Sequence, residues 1–309
     1  MPNTQEKIAA IKVRLSVPAF AAPMFLVSGP DLVIAACKAG VIGSFPTLNA
    51  RPVPVLEEWL KRIQSELNDA GTNAPWAANL IVHKTNKRFD EDFALIQQYQ
   101  PDIVITALGS PERAVPGVHN YGGLVFADVN STEFARKAVD RGADGLVLVC
   151  KGAGGHTGFT PAAQFIAEVR EFFSGPIAAG GAISTGDEIR HVIDAGADFA
   201  YMGTRFIATE ESLASSEYKQ MLVNADASDI VLTPYFTGVP ANFLKPSVIA
   251  AGIDPMVLNR PKSEINFSNL EDHGSSWKDI WSAGVGVEKI NSIQSTAELV
   301  ADLKASYES

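Results

Sequence analysis

Residues 145–158 read GLVLVCKGAGGHTG, and this stretch decides the architecture. Its first half, through Cys150, is an unbroken apolar run of the kind found in parallel strands covered on both faces. Its second half sets one imidazole, His156, just past the strand end among residues with almost no side chain. Glycines let a backbone approach a flat ligand closely and take positive φ. A histidine beside them can exchange a proton near neutral pH. The stretch therefore predicts a site where a planar cofactor lies against backbone with one titratable group next to it.

Working outward, seven similar runs occupy residues 17–21, 41–45, 76–82, 102–107, 123–128, 176–179 and 198–202. Amphipathic segments separate them, at 54–68, 89–98, 132–141, 161–173 and 186–195. Strands alternating with helices mean an α/β fold. Eight such units predict a (β/α)8 TIM barrel. Weak repetition agrees: DRGADGLVLV at 140–149 resembles DAGADFAYMG at 194–203, with KAGVIGSF at 38–45 a looser copy. In the first two, Gly142 and Gly196 suit the position just past a helix end, and Ala-Asp then leads into a strand.

The pattern changes after Thr204. About 90 residues pass before the last clear helix, 296–307, whose Leu299, Val300 and Leu303 share a face. Helical pieces are expected at 213–225 and 240–251, with loops rich in Pro, Asn and Ser such as 255–269. The expected organisation is a barrel from 1–204 and 286–309, with a smaller helical cap at 205–285 over its mouth. Tyr235, Phe236 and Phe243 are expected either to wall the substrate side or to pack as the cap's own core, and the final helix to close the ring.

At 309 residues with 46% hydrophobic and 19% charged composition, the chain is an ordinary globular one. No apolar run approaches the roughly 20 residues of a membrane span. The N-terminus lacks the long apolar centre of a secretory signal. A net charge of −10 argues against a nucleic-acid partner. Cys37 and Cys150 form no disulfide framework or metal spacing and read as core residues, which fits a cytoplasmic location.

Barrel sites form at the C-terminal ends of the strands. Standing there are Pro23 and Met24, then Ser44 and Thr47, Asn79, Gly109-Ser110, Asp128 and Asn130, Lys151 and His156, Gly180-Gly181, and Gly203-Thr204. The small residues after the last two runs suit a phosphate, which barrels commonly bind after strands seven and eight. Tight turns are the structural alternative. Asn79 in an apolar strand needs a polar partner, either ligand or backbone. Lys151 either meets a ligand anion or reaches solvent, and Arg205 reads better as one half of a structural pair. His83, His119, His191 and His273 lack the glycine setting of His156. No metal cluster, Walker loop, hydrolase elbow or dinucleotide fingerprint is present.

These residues give the chain a resemblance to the nitronate monooxygenase family over nearly its whole length. It rests on APMFLVSGPDLVIAACKAGVIGSF, GAGGHTG, AAGGAISTG, YMGTRFIATEE, GVPANFL and IWSAGVGVEKI. The resemblance implies non-covalent FMN on a TIM barrel. Cofactor contacts would come from Ala22, Pro23, Met24, Asn79, Lys151, Gly155, Gly180, Gly181, Gly203 and Thr204, and His156 would be the catalytic histidine. The implied reaction oxidises an alkyl nitronate with O2 to a carbonyl compound and nitrite, a nitroalkane first losing its α-proton. Val285 stands where the family usually has Gln, which bears on specificity. Rival readings are an NAD(P)H:quinone reductase or flavin enoyl reductase on this scaffold, and a non-catalytic phosphate-ligand barrel. A homodimer is left open.

Overall fold

A computed structural model of the chain describes residues 3–71, 75–258 and 279–309. His273 and part of the 255–269 loop lie outside the described residues. Chain order brings β1 (Ala19–Ala21), β2 (Ile42–Pro46), β3 (Trp76–Ile81), β4 (Ile103–Ala107), β5 (Leu124–Val129), β6 (Gly145–Val149), β7 (Gly155–His156), β8 (Ile177–Gly180), β9 (Phe199–Met202), β10 (Ile230–Thr233) and β11 (Ala241–Leu244). All of these except β7, β10 and β11 form one closed parallel barrel, with β9 returning to pair with β1. The eight predicted runs are its eight strands.

The repeated Gly-Ala-Asp has a physical explanation. Gly142 and Gly196 leave their helices at φ +88° and +107°, in the region that favours glycine. Ala143 and Ala197 are buried. The aspartate then accepts the first backbone N–H of the preceding barrel strand or its start: Asp144 from Val125 at 2.8 Å, Asp198 from Ile177 at 3.0 Å. Asp102, before β4, accepts from Trp76 at 3.2 Å in the same way. Each of the three also meets a basic side chain, respectively His119, Arg170 and Arg14. The N-terminal rim is thereby stitched together by acids that are all partnered.

Alternation along each strand sends every second residue inward. Phe20, Ile42, Ala77, Ile103, Phe126, Val147 and Phe199 fill the barrel. The helix Thr4–Lys12 closes the N-terminal end, its Ile8 and Ile11 packing onto the same cluster. At the other end the next inward positions, two residues further along, are Ala22, Asn79, Asp128, Val149, Gly180 and Tyr201. These floor a cavity instead of a packed layer.

The helix Thr296–Glu308 packs between helices Pro30–Ala39 and Gly186–Asp194, so it closes the outer ring as expected. Leu299, Val300 and Leu303 are its buried face. Its approach to Gly186 is so close that a Cβ there would lie 2.2 Å from the Leu303 carbonyl oxygen.

The cap segment is only partly helical. A helix spans Ser216–Asn224, but β10 and β11 form an antiparallel pair, and the expected helix at 240–251 is strand β11 followed by the short helix Lys245–Ala250. The third strand of that sheet is β7, which comes from the glycine loop: His156 pairs with Ala241 and Gly155 with Asn242. No helix of the described residues is long and apolar enough to cross a membrane.

Candidate active site

Between barrel mouth and cap lies a cavity of about 830 Å3. Its floor comes from the inward strand residues already named. One side is the glycine loop through His156, another is Gly180–Ser184 with Gly203-Thr204, and Pro23, Met24 and Phe25 follow β1. The cap side is Leu213, Tyr218, Ile280 and Trp281, with the Tyr218 and Trp281 rings stacked at 4.8 Å. The Tyr218 hydroxyl donates to the Ser282 carbonyl, which fixes that wall.

Of the sequence-predicted residues, Ala22, Pro23, Met24, Asn79, Gly155, His156, Gly180, Gly181, Gly203 and Thr204 all line this one cavity. Lys151 does not: it is exposed, and only its backbone is engaged, its N–H donating to Thr160 O at 2.9 Å. Among the described residues no lysine or arginine lines the cavity. Arg205 turns away and donates to Gln294 Oε1 at 3.1 Å, the structural pairing expected of it. Val285 is also absent from the lining, which includes its neighbours Gly284 and Gly286.

Of the two readings of the cap aromatics, core packing is the one the structure shows. Phe243 is buried, and Phe236 packs on it at 4.8 Å and on Tyr235 at 5.2 Å, making the cap's own core. Tyr218 is not among the sequence candidates, and Trp281 stands there only within IWSAGVGVEKI, without a role of its own; the cap fold brings both to the barrel mouth.

Three non-glycine residues on the lining, Leu26, Leu108 and Ala182, hold positive φ of 61°, 58° and 57°. Such backbone costs on the order of 1–3 kcal/mol and clusters where ligands are held. The glycine loop is equally constrained. Gly152 has φ +89°, and a Cβ on Gly154 would come within 2.8 Å of the Gly284 nitrogen. Asn242 donates to the Ala153 carbonyl at 2.7 Å, tying this loop to the cap.

Electrostatically the site holds two unusual groups. His156 lies beside Thr237, with Nε2 3.3 Å from Oγ1. Burial lowers its pKa below the ordinary histidine value, so the ring is neutral at pH 7. Asp128 was visible only as a polar residue ending a strand. Its Oδ1 is sealed from solvent and has no hydrogen-bond partner, and burial raises the carboxyl to about 7. Across the floor, burial and then the Asp128 charge raise the Tyr201 phenol well above its usual value. Both cysteines are buried, with thiols pushed up to about 12 by desolvation, as core residues would be.

The family model described as nitronate monooxygenase matches residues 6–306. The chain belongs to the nitronate monooxygenase family. Among family relatives, a nitronate monooxygenase of Pseudomonas aeruginosa is 27% identical over 289 residues, covering 77% of this chain and 81% of that one. An octahydro-indene-carboxyl-CoA dehydrogenase of Mycobacterium tuberculosis is 24% identical over 226 residues, covering 72% of this chain. The chain spans less than two thirds of the length of the two mycobacterial relatives it matches, 39% of one and 61% of the other. A nitroalkane oxidase structure from Streptomyces ansochromogenes superposes with TM-score 0.80 at 23% identity, covering 97% of this chain and 98% of that one. FabK from Thermotoga maritima superposes with TM-score 0.81 at 22% identity, covering 100% and 97%. At these identities the two structures speak for the barrel fold.

Proposed function

We propose that the protein is an FMN-dependent oxidoreductase that oxidises alkyl nitronates with O2. The observation that carries this reading is the convergence of the His156 loop, the two small-residue loops and Asn79 on a single cavity. FMN fits the residues present. Gly203 leaves room where a Cβ would meet nothing nearer than 3.6 Å, and the half-buried Asp128 on the cavity floor brings a carboxyl whose Oδ1 has no protein partner. Residues 1–204 and 286–309 would form the FMN-binding barrel, and 205–285 the substrate cap.

In this reading Gly180, Gly181 and Gly203 present backbone to the phosphate. The Thr204 hydroxyl accepts from the Gly284 N–H at 2.8 Å and keeps its own hydrogen to donate. Ala22, Pro23, Met24 and Gly155 wall the ring, and Asn79, whose Nδ2 donates to Ile105 O at 3.1 Å, keeps its amide oxygen for the ligand. Bound FMN would supply the two-electron oxidation and the reaction with O2.

His156 acts on the substrate. The Thr237 hydroxyl donates to Val239 O at 2.8 Å, so its oxygen can accept from Nε2 and orient the ring. A neutral imidazole so held takes the α-proton of a nitroalkane; a preformed nitronate needs only to be oriented. The Tyr218 and Trp281 wall excludes water from the reacting carbon.

A dehydrogenase or reductase of a larger apolar substrate is the second reading, favoured by the extent of the wall formed by Leu213, Tyr218, Ile280 and Trp281. Anaerobic mixing of the purified protein with propionate 3-nitronate, NADH and NADPH in turn separates the two. Bleaching of flavin absorbance by the nitronate is expected. Bleaching by a nicotinamide alone would overturn the first reading in favour of the second.

A further inference from the structure

We propose that Asp128, as a neutral carboxylic acid, donates a hydrogen bond from the barrel floor to an acceptor on the ring of bound FMN. This rests on the flavin reading above and adds to it a residue and a proton.

Asp128 stands two positions beyond Phe126 on β5, on the inward face, in the same layer as Asn79, Val149, Gly180 and Tyr201. The strands beside it bring no counter-charge. Opposite and adjacent positions on β4 are Thr106 and Ala107, and on β6 Val147 and Val149. Thr106 spends its hydroxyl on Phe126 O at 3.3 Å. Across the floor stands Tyr201. From the cap side the titratable groups facing the cavity are His156, Glu217, Tyr218 and Asp279. None of these is a cation at neutral pH, and no lysine or arginine lines the site among the described residues.

An ionised carboxylate would therefore sit half-buried on the floor, with Oδ1 unpaired and no cation beside it, in the same cavity as a phosphate dianion. Such a charge is expensive to bury. The neutral acid has no such cost, and its O–H is a donor. A flavin ring edge carries carbonyl and ring-nitrogen acceptors, which a carboxylic acid can satisfy while its own carbonyl oxygen accepts. The exposed side chain of Lys151 leaves this donor function on the floor to Asp128.

The consequence is a proton that must be present for tight binding. Between pH 7 and 9 the other groups stay constant. The FMN phosphate ionises near ~6, His156 is already neutral, and Tyr201 and Tyr218 are raised by burial. The experiment titrates full-length protein, stripped of flavin, with FMN across pH 7–9, following flavin fluorescence. Wild type, Asp128→Asn and Asp128→Ala are compared. Wild-type affinity is expected to fall by up to about tenfold per pH unit. Asp128→Asn, which keeps a donor of the same shape but cannot ionise, should bind with Kd independent of pH. Asp128→Ala should bind roughly 3–10-fold more weakly than wild type at pH 7, also without a slope. A flat wild-type profile, or the same slope in Asp128→Asn, would overturn the proposal while leaving FMN as the cofactor. Failure of wild type to bind FMN at any pH would overturn both.

Discussion

The two ends of the barrel treat their aspartates in opposite ways. At the N-terminal rim Asp102, Asp144 and Asp198 each accept a backbone N–H and meet a basic side chain. At the mouth Asp128 has a sealed oxygen with no partner, amid backbone held at positive φ. The rim acids finish the fold's own hydrogen bonds. The mouth acid leaves one unfinished, in a cavity floored by the same strands. One sheet thus carries stability at one end and an unmet polar demand at the other, and substitutions at the two ends should separate in what they change.

The largest effect is expected at the mouth. His156→Asn should lower kcat/KM for a neutral nitroalkane by about 10²–10⁴-fold, the usual range for losing a general base. The matching nitronate should suffer much less, and the denaturation midpoint should barely move. Equal losses on both substrates would instead mean that the ring stabilises charge on the nitro group.

Next comes Gly203→Asp, whose Cβ meets only ordinary contacts near Met24 and Ala22. It places a carboxylate against the proposed phosphate site. Like charges so placed cost several kcal/mol, so FMN affinity should drop by about 10²-fold or more. Unchanged flavin content in the folded variant would remove the phosphate from these loops.

At the rim, Asp198→Asn leaves Lys12 and Arg170 without their carboxylate. Stability by urea denaturation should fall by about 1–3 kcal/mol, with FMN affinity of the folded protein unchanged. A loss of flavin binding as large as that of Gly203→Asp would erase the distinction between the ends.

The last effect is a pH dependence. Asp128 is held up to about 7 in the folded protein, against 3.8 for the free group. Between those values the folded state keeps a proton that the unfolded chain has released, so this group's contribution to stability is lost as pH rises through that window. Flavin-free Asp128→Asn should therefore lose less stability than wild type between pH 5 and 8. His156, with its lowered pKa, acts in the opposite direction below about 6.5 and cancels in the comparison. Parallel curves for the two proteins would count against a buried, unpaired acid.

Much of this was legible in the chain because the barrel repeats one local rule. Apolar runs, helix-ending glycines and Ala-Asp strand starts lie within a few residues of one another, so each unit announces itself. His156 was legible because its glycines surround it in the chain as well as in space. The cap was harder. Strands β10 and β11 are four residues each, and β11 runs straight into a helix, so the segment carries no period long enough to read. Composition leaves Tyr235, Phe236 and Phe243 open between substrate wall and cap core, and only their packing on one another decides for the core. In the chain Asp128 is only a polar residue ending a strand, since its meaning lies in what fails to surround it.

The pairing of β7 with β11 bears on how such enzymes can diversify. Ala241 opposite His156 and Asn242 opposite Gly155 make the histidine a shared part, aligned by a segment more than 80 residues downstream. A cap grafted from a relative would bring new walls only if it also reproduced that two-residue splice. Recombination at this joint is thus constrained to crossovers that keep 241–242 with the native loop, while exchanges confined to the helix Ser216–Asn224 can re-shape the pocket and leave the histidine in register.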